Sequence, residues 1–326
     1  MKDVEMKMLE RAKALLESGE VARVIGWKKG EFFYEATPAS FETVAELEKD
    51  FVYNWFCGAN LSKYLIGMSK KEGKTAVFLK PCDTYSFNQL VKEHRIKREN
   101  VYVIAVECLA KLNIEAIKAK TDGIVKSVDV AGKDVKVVTT SGEYTIFKPE
   151  AVLDKCAVCT KEHQVKDEEI ILHERPVRDV NRFAEVEKLE AMTADERFAF
   201  WKDQLSKCIR CNACRNVCPA CSCVKCVFDN PKSGISAKAN DSEFEEKLFH
   251  VIRAFHVAGR CTDCGECSRV CPQNIPLHLL NRKFIKDIDN LYGEYQAGET
   301  ADGKTPLTSY TENDVEAKDA VNGGAN

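Results

Sequence analysis

Two copies of one cysteine spacing constrain this chain more than anything else in it. The run Cys208-x-x-Cys211-x-x-Cys214-x-x-x-Cys218-Pro219 returns as Cys261-x-x-Cys264-x-x-Cys267-x-x-x-Cys271-Pro272. Three thiolates at this interval wrap one corner of an iron–sulfur cube, and the fourth, held by the turn before proline, reaches the other cube. The spacing therefore assigns Cys208, Cys211, Cys214 and Cys271 to one 4Fe-4S cluster, and Cys261, Cys264, Cys267 and Cys218 to a second. Structural zinc also uses Cys-x-x-Cys pairs, but it gains nothing from a duplicated run that ends in Cys-Pro. Disulfides need an oxidising compartment, for which nothing else in the sequence speaks.

Sixteen cysteines are many for 326 residues. With no secretory apolar segment at the start and no run long enough to span a bilayer, they read as metal ligands in a reducing cytoplasm. A net charge of -3 and a pI near 6.2 make no electrostatic case for nucleic acid or an acidic membrane surface. The length and a 44% hydrophobic content suit two domains with real cores.

Asp3 to Ser18 reads as an amphipathic helix with Met6, Leu9, Ala12 or Lys13, and Leu16 on one face, ended by Gly19. Val21 to Trp27 and Glu31 to Glu35 read as a hairpin, and roughly Phe41 to Lys71 as helix broken near Cys57-Gly58. From Thr75 the pattern alternates: strand Ala76 to Leu79, helix Asp83 to His94, strand Val101 to Val106, helix Leu112 to Ala119. Buried parallel strands joined by helices account for this rhythm. Gly123 to Val130, Val135 to Thr140 and Glu143 to Phe147 then read as an antiparallel meander.

A charged stretch, Thr160 to Asp179, holds one short strand at Ile170 to Leu172, and the domain boundary is placed near Pro176. Beyond it the chain reads as helical. Thr193 with Glu196 is a capping box, and Phe198, Trp201 and Leu205 line a face leading to Cys208. Ser242 with Glu245 is another such box, and Phe244, Leu248, Val251, Ile252 and Phe255 form a stripe stopping at Gly259. A last helix starts at Pro276 and carries Leu277, Leu280, Phe284 and Ile288. The expected organisation is an α/β cluster-binding domain over 1–165 with a small parallel sheet and antiparallel meander. An all-α dicluster ferredoxin-like domain follows over 180–292, then a polar tail over 293–326, disordered or ordered by a partner.

A second constellation stands upstream: Cys82 and Cys108 directly after two successive strands, and Cys156-x-x-Cys159 after the meander. The carboxyl ends of adjacent parallel strands lie side by side, so Cys82 and Cys108 can converge, and a returning Cys-x-x-Cys can close the site. Four thiolates alone allow zinc or a third cube. Pro81-Cys82, the strand leading to Cys108, and Lys155-Cys156-Ala157-Val158-Cys159-Thr160 resemble the cluster-binding motifs of the β-subunit family of coenzyme F420 hydrogenases and dehydrogenases, over about residues 50 to 165. The resemblance implies that Cys82, Cys108, Cys156 and Cys159 bind one more 4Fe-4S cluster. It also implies electron exchange with hydrogenase, formate dehydrogenase or heterodisulfide-reductase-type partners, often with a flavin. Arg260 to Pro272 is similar to the helical dicluster modules of heterodisulfide-reductase C-type subunits. Two departures bear on cofactors. Lys161-Glu162-His163-Gln164 stands where the family has a glycine-containing flavin-site segment, which weakens the case for bound FAD, and no Gly-x-Gly-x-x-Gly is present.

Cys57, Cys221, Cys223 and Cys226 remain, either as small buried hydrophobes near the cubes or as a further metal site, iron–sulfur or zinc. His94, His163, His173, His250, His256 and His278 share no spacing with carboxylates and read as packing or surface residues. Trp55 to Asn60 reads as an ordinary helix cap rather than a phosphate site. Arg210, Arg215, Arg260 and Arg269 offer either charge that raises cluster potentials or a solvated rim. The sequence thus points to a cytoplasmic iron–sulfur electron-transfer subunit, with no catalytic residue of its own, in an anaerobic oxidoreductase complex. It would carry electrons between a formate dehydrogenase- or hydrogenase-type catalytic subunit and a flavin-containing heterodisulfide-reductase-like partner, with no nucleic acid and no membrane span. The alternative is a flavin-dependent subunit that passes hydride to or from deazaflavin or NAD(P).

Overall fold

The computed structural model describes residues 1–160, 168–171, 179–230, 232 and 243–307. Its first half is built on a five-stranded sheet in the order β2-β1-β3-β4-β8. Here β1 is Arg23–Lys29, β2 Ala36–Phe41, β3 Thr75–Leu79, β4 Val101–Val106 and β8 Glu169–Ile171. β1 and β2 form an antiparallel hairpin, and β1, β3, β4 and β8 run parallel. β3 is buried along its whole length, as a central parallel strand must be. The strands β5 (Val125–Ala131), β6 (Asp134–Thr139) and β7 (Glu143–Phe147) make a separate antiparallel meander. β6 buries Val135, Val137 and Thr139 and exposes the residues between them, the alternation of a sheet with one wet face.

The second half is helical: Ala184–Glu190, Ala194–Ser206, Glu243–Val257 and Leu277–Tyr292, with short turns of helix at Ala213–Val217 and Glu266–Arg269. Thr193 and Glu196 form the expected capping box. An α/β part with parallel strands and a meander, followed by a helical part, is the architecture the sequence predicts. β8 refines it, because this short strand after the meander returns to pair with β4, Ile104 opposite Glu169, and widens the first sheet. Leu172, Pro176 and Ser242, which entered the strand, boundary and capping expectations, lie outside the described residues.

Several local expectations are corrected. The first helix, Lys2–Glu17, buries Val4, Met8, Ala12 and Leu15, while Met6 is exposed. The small Ala12 lets that ridge approach the sheet, and Leu9 and Leu16 only border it. Glu31 to Glu35 is a turn, not a strand: the Glu35 carboxylate accepts the amides of Glu31 and Phe32, and the strand begins at Ala36. The long helix expected over 41–71 shrinks to Val44–Asp50 and a single turn at Leu65–Met68. Between them the Val52 amide bonds to the Trp27 carbonyl and the Tyr53 amide to Glu5, so the chain is drawn out along the sheet. The described part of the tail, 293–307, packs on the chain: Ala297 and Thr305 are buried, and the Tyr295 hydroxyl donates to the Gly259 carbonyl at 3.2 Å, while 308–326 lie outside the described residues.

Candidate metal centres

The two cysteine runs fold alike. Arg210 and Asp263 are left-handed at φ 51° and 55°, and two residues on Asn212 and Gly265 are left-handed at 61° and 64°. Each of the latter precedes a short helix carrying the third cysteine of its run. Alternating right- and left-handed residues turn successive amides inward, the concave backbone nest that receives anions and iron–sulfur clusters. The Arg210 amide already points at the Cys208 sulfur, 3.4 Å away. Gly265 has a further reason to be glycine, since a Cβ there would stand 2.7 Å from that of Lys155.

The sulfurs group across the runs. Cys208, Cys211, Cys214 and Cys271 line one cavity. Burial pushes the Cys214 thiol up to about 11, with Cys267, Cys271 and Cys211 adding to the effect. Burial raises the thiols of Cys261, Cys264 and Cys267, and the charge of Cys218 raises each further, while the Cys218 sulfur is itself hydrogen-bonded to that of Cys221.

Between these groups stand buried donors with nothing to bond. Neither ring nitrogen of His250 nor any guanidinium nitrogen of Arg253 has a hydrogen-bond partner among the described residues, though both side chains are about 1% exposed. Burial works against the charge of Arg253, yet the facing sulfurs of Cys267, Cys214, Cys218 and Cys221 hold its pKa up. Burial, then the charges of Arg253 and Arg210, push the His250 imidazole down to about 3. Buried donors without acceptors are rare because each costs desolvation. Inorganic sulfide would supply the missing acceptors, so this donor set fits iron–sulfur clusters.

Cys82 and Cys108 follow β3 and β4, whose carboxyl ends pair with Leu79 opposite Ala105, so the two do sit at neighbouring carboxyl ends. Cys156 joins them: the Lys111 amide donates to its sulfur at 3.3 Å, and burial followed by the charges of Cys108 and, more weakly, Cys159 pushes its thiol up to about 11. The expected quartet of Cys82, Cys108, Cys156 and Cys159 thus shares one region. Two buried lysines flank it, Lys80 over the Trp27 ring at 4.4 Å and Lys111 over the Tyr53 ring at 3.8 Å. Periodicity gave no sign of them, because a lysine just after an apolar strand, as Lys80 is, or in the loop beyond one, as Lys111 is, reads as a surface residue.

Lys155 ties this region to the second run. Its amine bonds Glu266 at 2.6 Å and the Gly58 carbonyl at 2.8 Å, and Arg269 grips the same carboxylate at 2.7 and 2.8 Å. Glu266 is fully buried and also accepts the Asn60 amide at 3.1 Å. Burial opposes its ionisation, but Lys155 and Arg269 hold the carboxyl well below the usual range. Ser86 with Thr262 at 2.8 Å and Glu93 with Arg260 at 2.5 Å extend the seam.

The four spare cysteines part company. Cys57 is buried in the core of the first half, whereas Cys221, Cys223 and Cys226 line a cavity of about 650 Å³ with Lys63, Arg253 and His256. Among the described residues, no three His, Cys, Asp or Glu side chains close in on a single metal ion. Of the arginines expected to carry free charge, Arg215, Arg260 and Arg269 are ion-paired with Asp229, Glu93 and Glu266, and Arg210 lies 4.1 Å from the Phe249 ring centre. His278 bonds Ser268 at 2.8 Å, and His163 and His173 lie outside the described residues. No helix begins over Trp55 to Asn60. Among the described residues, no helix is long and apolar enough to cross a membrane.

Residues 204–275 match the family described as 4Fe-4S dicluster domain. The chain is similar to the F420-dependent formate dehydrogenase subunit beta of Methanocaldococcus jannaschii, 24% identical over 86% of this chain and 88% of that one. It is similar to the F420-dependent formate dehydrogenase 1 subunit beta of Methanococcus maripaludis, 25% identical over 66% of this chain and 72% of that one. A putative ferredoxin-3 of Sinorhizobium fredii is 34% identical over 79 residues, 24% of this chain and 75% of that protein. A chain of the F420-reducing [NiFe] hydrogenase complex from Methanosarcina barkeri superposes with a TM-score of 0.34 at 17% identity, over 48% of this chain and 62% of that one.

Proposed function

We propose that the chain is an iron–sulfur β subunit of the F420-dependent formate dehydrogenase type and the electron relay of such a complex, a reading supported by its similarity to those subunits and by its 4Fe-4S dicluster domain. In this reading Cys208, Cys211, Cys214 and Cys271 hold one 4Fe-4S cluster, Cys261, Cys264, Cys267 and Cys218 a second, and Cys82, Cys108, Cys156 and Cys159 a third. When bound, the clusters supply one-electron transfer and no acid–base chemistry. The chain's own part is to fix the cubes, exclude water and set their potentials through amides, buried cations and burial. The electrons would pass between a formate dehydrogenase- or hydrogenase-type catalytic subunit and a flavin-containing heterodisulfide-reductase-like partner, in the cytoplasm.

The observation that supports the reading is the cavity that Cys271 shares with Cys208, Cys211 and Cys214 of the first run, next to the buried His250. The seam of Lys155 and Glu266 adds to it, because it sets the third quartet against the second run. The test is iron, sulfide, zinc and flavin per polypeptide in the anaerobically purified chain and in Cys271→Ala. At least about twelve irons without flavin, the content of three cubes, is the expected result, and the substitution should damage the cluster of Cys208, Cys211 and Cys214. Stoichiometric flavin would move the chain to the hydride-transfer reading. Loss of the cluster of Cys261, Cys264 and Cys267 instead would overturn the ligand sets.

A further inference from the structure

Three cysteines fall outside those sets and share a cavity. Cys221, Cys223 and Cys226 come from nine residues of chain that begin at Cys218, and they line a space of about 650 Å³. A structural zinc site is closed by its four ligands and leaves no such space. The walls are cationic. Lys63 reaches in from the first half of the chain, its amine on the carbonyls of Cys218, at 3.1 Å, and of Cys221. Arg215 and Arg260 stand beside it, each already paired with a carboxylate, Asp229 at 2.9 Å and Glu93 at 2.5 Å. Arg253 lines the cavity as well, about 1% exposed and with every guanidinium nitrogen unpartnered among the described residues. Thiols beside Lys63 and Arg253, two cations with no carboxylate partner among the described residues, the second shared with the neighbouring cluster sulfurs, ask for a ligand that is soft, polynuclear and anionic. Besides Asp229, which Arg215 holds, the wall carries one more ligating side chain, the exposed His256, one helical turn beyond the buried Arg253.

We propose that Cys221, Cys223, Cys226 and His256 hold a fourth iron–sulfur cluster, a 4Fe-4S cube with three thiolates and one imidazole. Imidazole is an established iron–sulfur ligand, and replacing thiolate by it makes a cluster less negative and raises its potential. The site abuts the second expected cluster, because Cys221 packs in one apolar group with Cys218 and Cys261. Cys223 is exposed and Cys226 half-buried, so the cube would stand where the protein meets solvent or a partner. Single electrons would pass between it and the neighbouring cube with no bond made or broken, giving the relay a side exit.

The inference rests on the relay reading, and one set of preparations separates the two. Full-length wild type and C223A/C226A are purified anaerobically and measured for iron, acid-labile sulfide and zinc, with EPR of the dithionite-reduced protein. About sixteen irons in the wild type and about twelve in the variant, with the other reduced-cluster signals retained, is the expected result. About twelve irons in both overturns the fourth site and leaves the relay standing, and stoichiometric zinc lost in the variant overturns the cube in favour of a zinc site. A wild type with fewer than about twelve irons sinks the relay reading itself. Should the double variant lose all iron through misfolding, the imidazole decides: His256→Ala should lose the extra iron and His256→Cys restore it, while equal iron in both overturns the proposal.

Discussion

At the scale of single residues, Arg253 is the side chain on which the redox reading bears hardest. The charges of sulfurs from both runs, Cys267, Cys214 and Cys218, and of Cys221, act on its guanidinium. A fixed positive charge beside a cluster favours its reduced, more negative form, so removing it must lower the potential. Arg253→Met keeps the volume and discards the charge. The midpoint potentials of both dicluster centres, followed by EPR in a redox titration, should fall in this variant and recover in Arg253→Lys. Unchanged midpoints would mean that the arginine only fills space.

At the scale of elements, the Glu243–Val257 helix shows where sequence reasoning reaches its limit. Its apolar stripe pointed to Val251 and Phe255 as core, yet these are 39% and 61% exposed, and the buried side is Phe249, His250, Arg253, Ala254 and Val257. Phe255 instead meets Phe284 across the surface, ring centres 4.8 Å apart. Hydrophobic periodicity finds the face that avoids water, but a wall of sulfur needs donors and charge, so the inward face is the more polar one. Phe249→Ala should therefore cost about 3–5 kcal/mol in denaturant unfolding of the loaded protein, while Phe255→Ser should stay within about 1 kcal/mol, as exposed positions do. Equal losses at the two positions would contradict the orientation of the helix. Elsewhere the pattern was readable: β4 runs over the predicted Val101–Val106, because a fully buried parallel strand is continuous in its apolar residues. The cysteines were readable from spacing alone. Lys80, Lys111 and Glu266 were not, since only the assembled fold shows what their charges face.

At the scale of the whole molecule, buried charge joins the two halves. Glu266, seated between Cys264 and Cys267, answers Lys155, the residue before Cys156. Removing one member of a buried ionic group leaves its partner stranded, a loss of about 3–5 kcal/mol. Glu266→Ala should show that loss as a lower denaturation midpoint, whereas Glu185→Ala, at a largely exposed pair with Lys188, should change it by less than about 1 kcal/mol. An equal response would mean that the seam carries no weight.

That seam also imposes an order on the making of the protein. Lys155 leaves the ribosome 111 residues before the carboxylate that neutralises it. Until Glu266 follows, Lys155 and the amide of Asn60 lack the partner that later justifies burying them. A chain cut short in synthesis would present a solvated, unclosed surface beside Cys156, and only a finished one can seal it. The ion pair is thus a contact that can form only once the second cysteine run has been made.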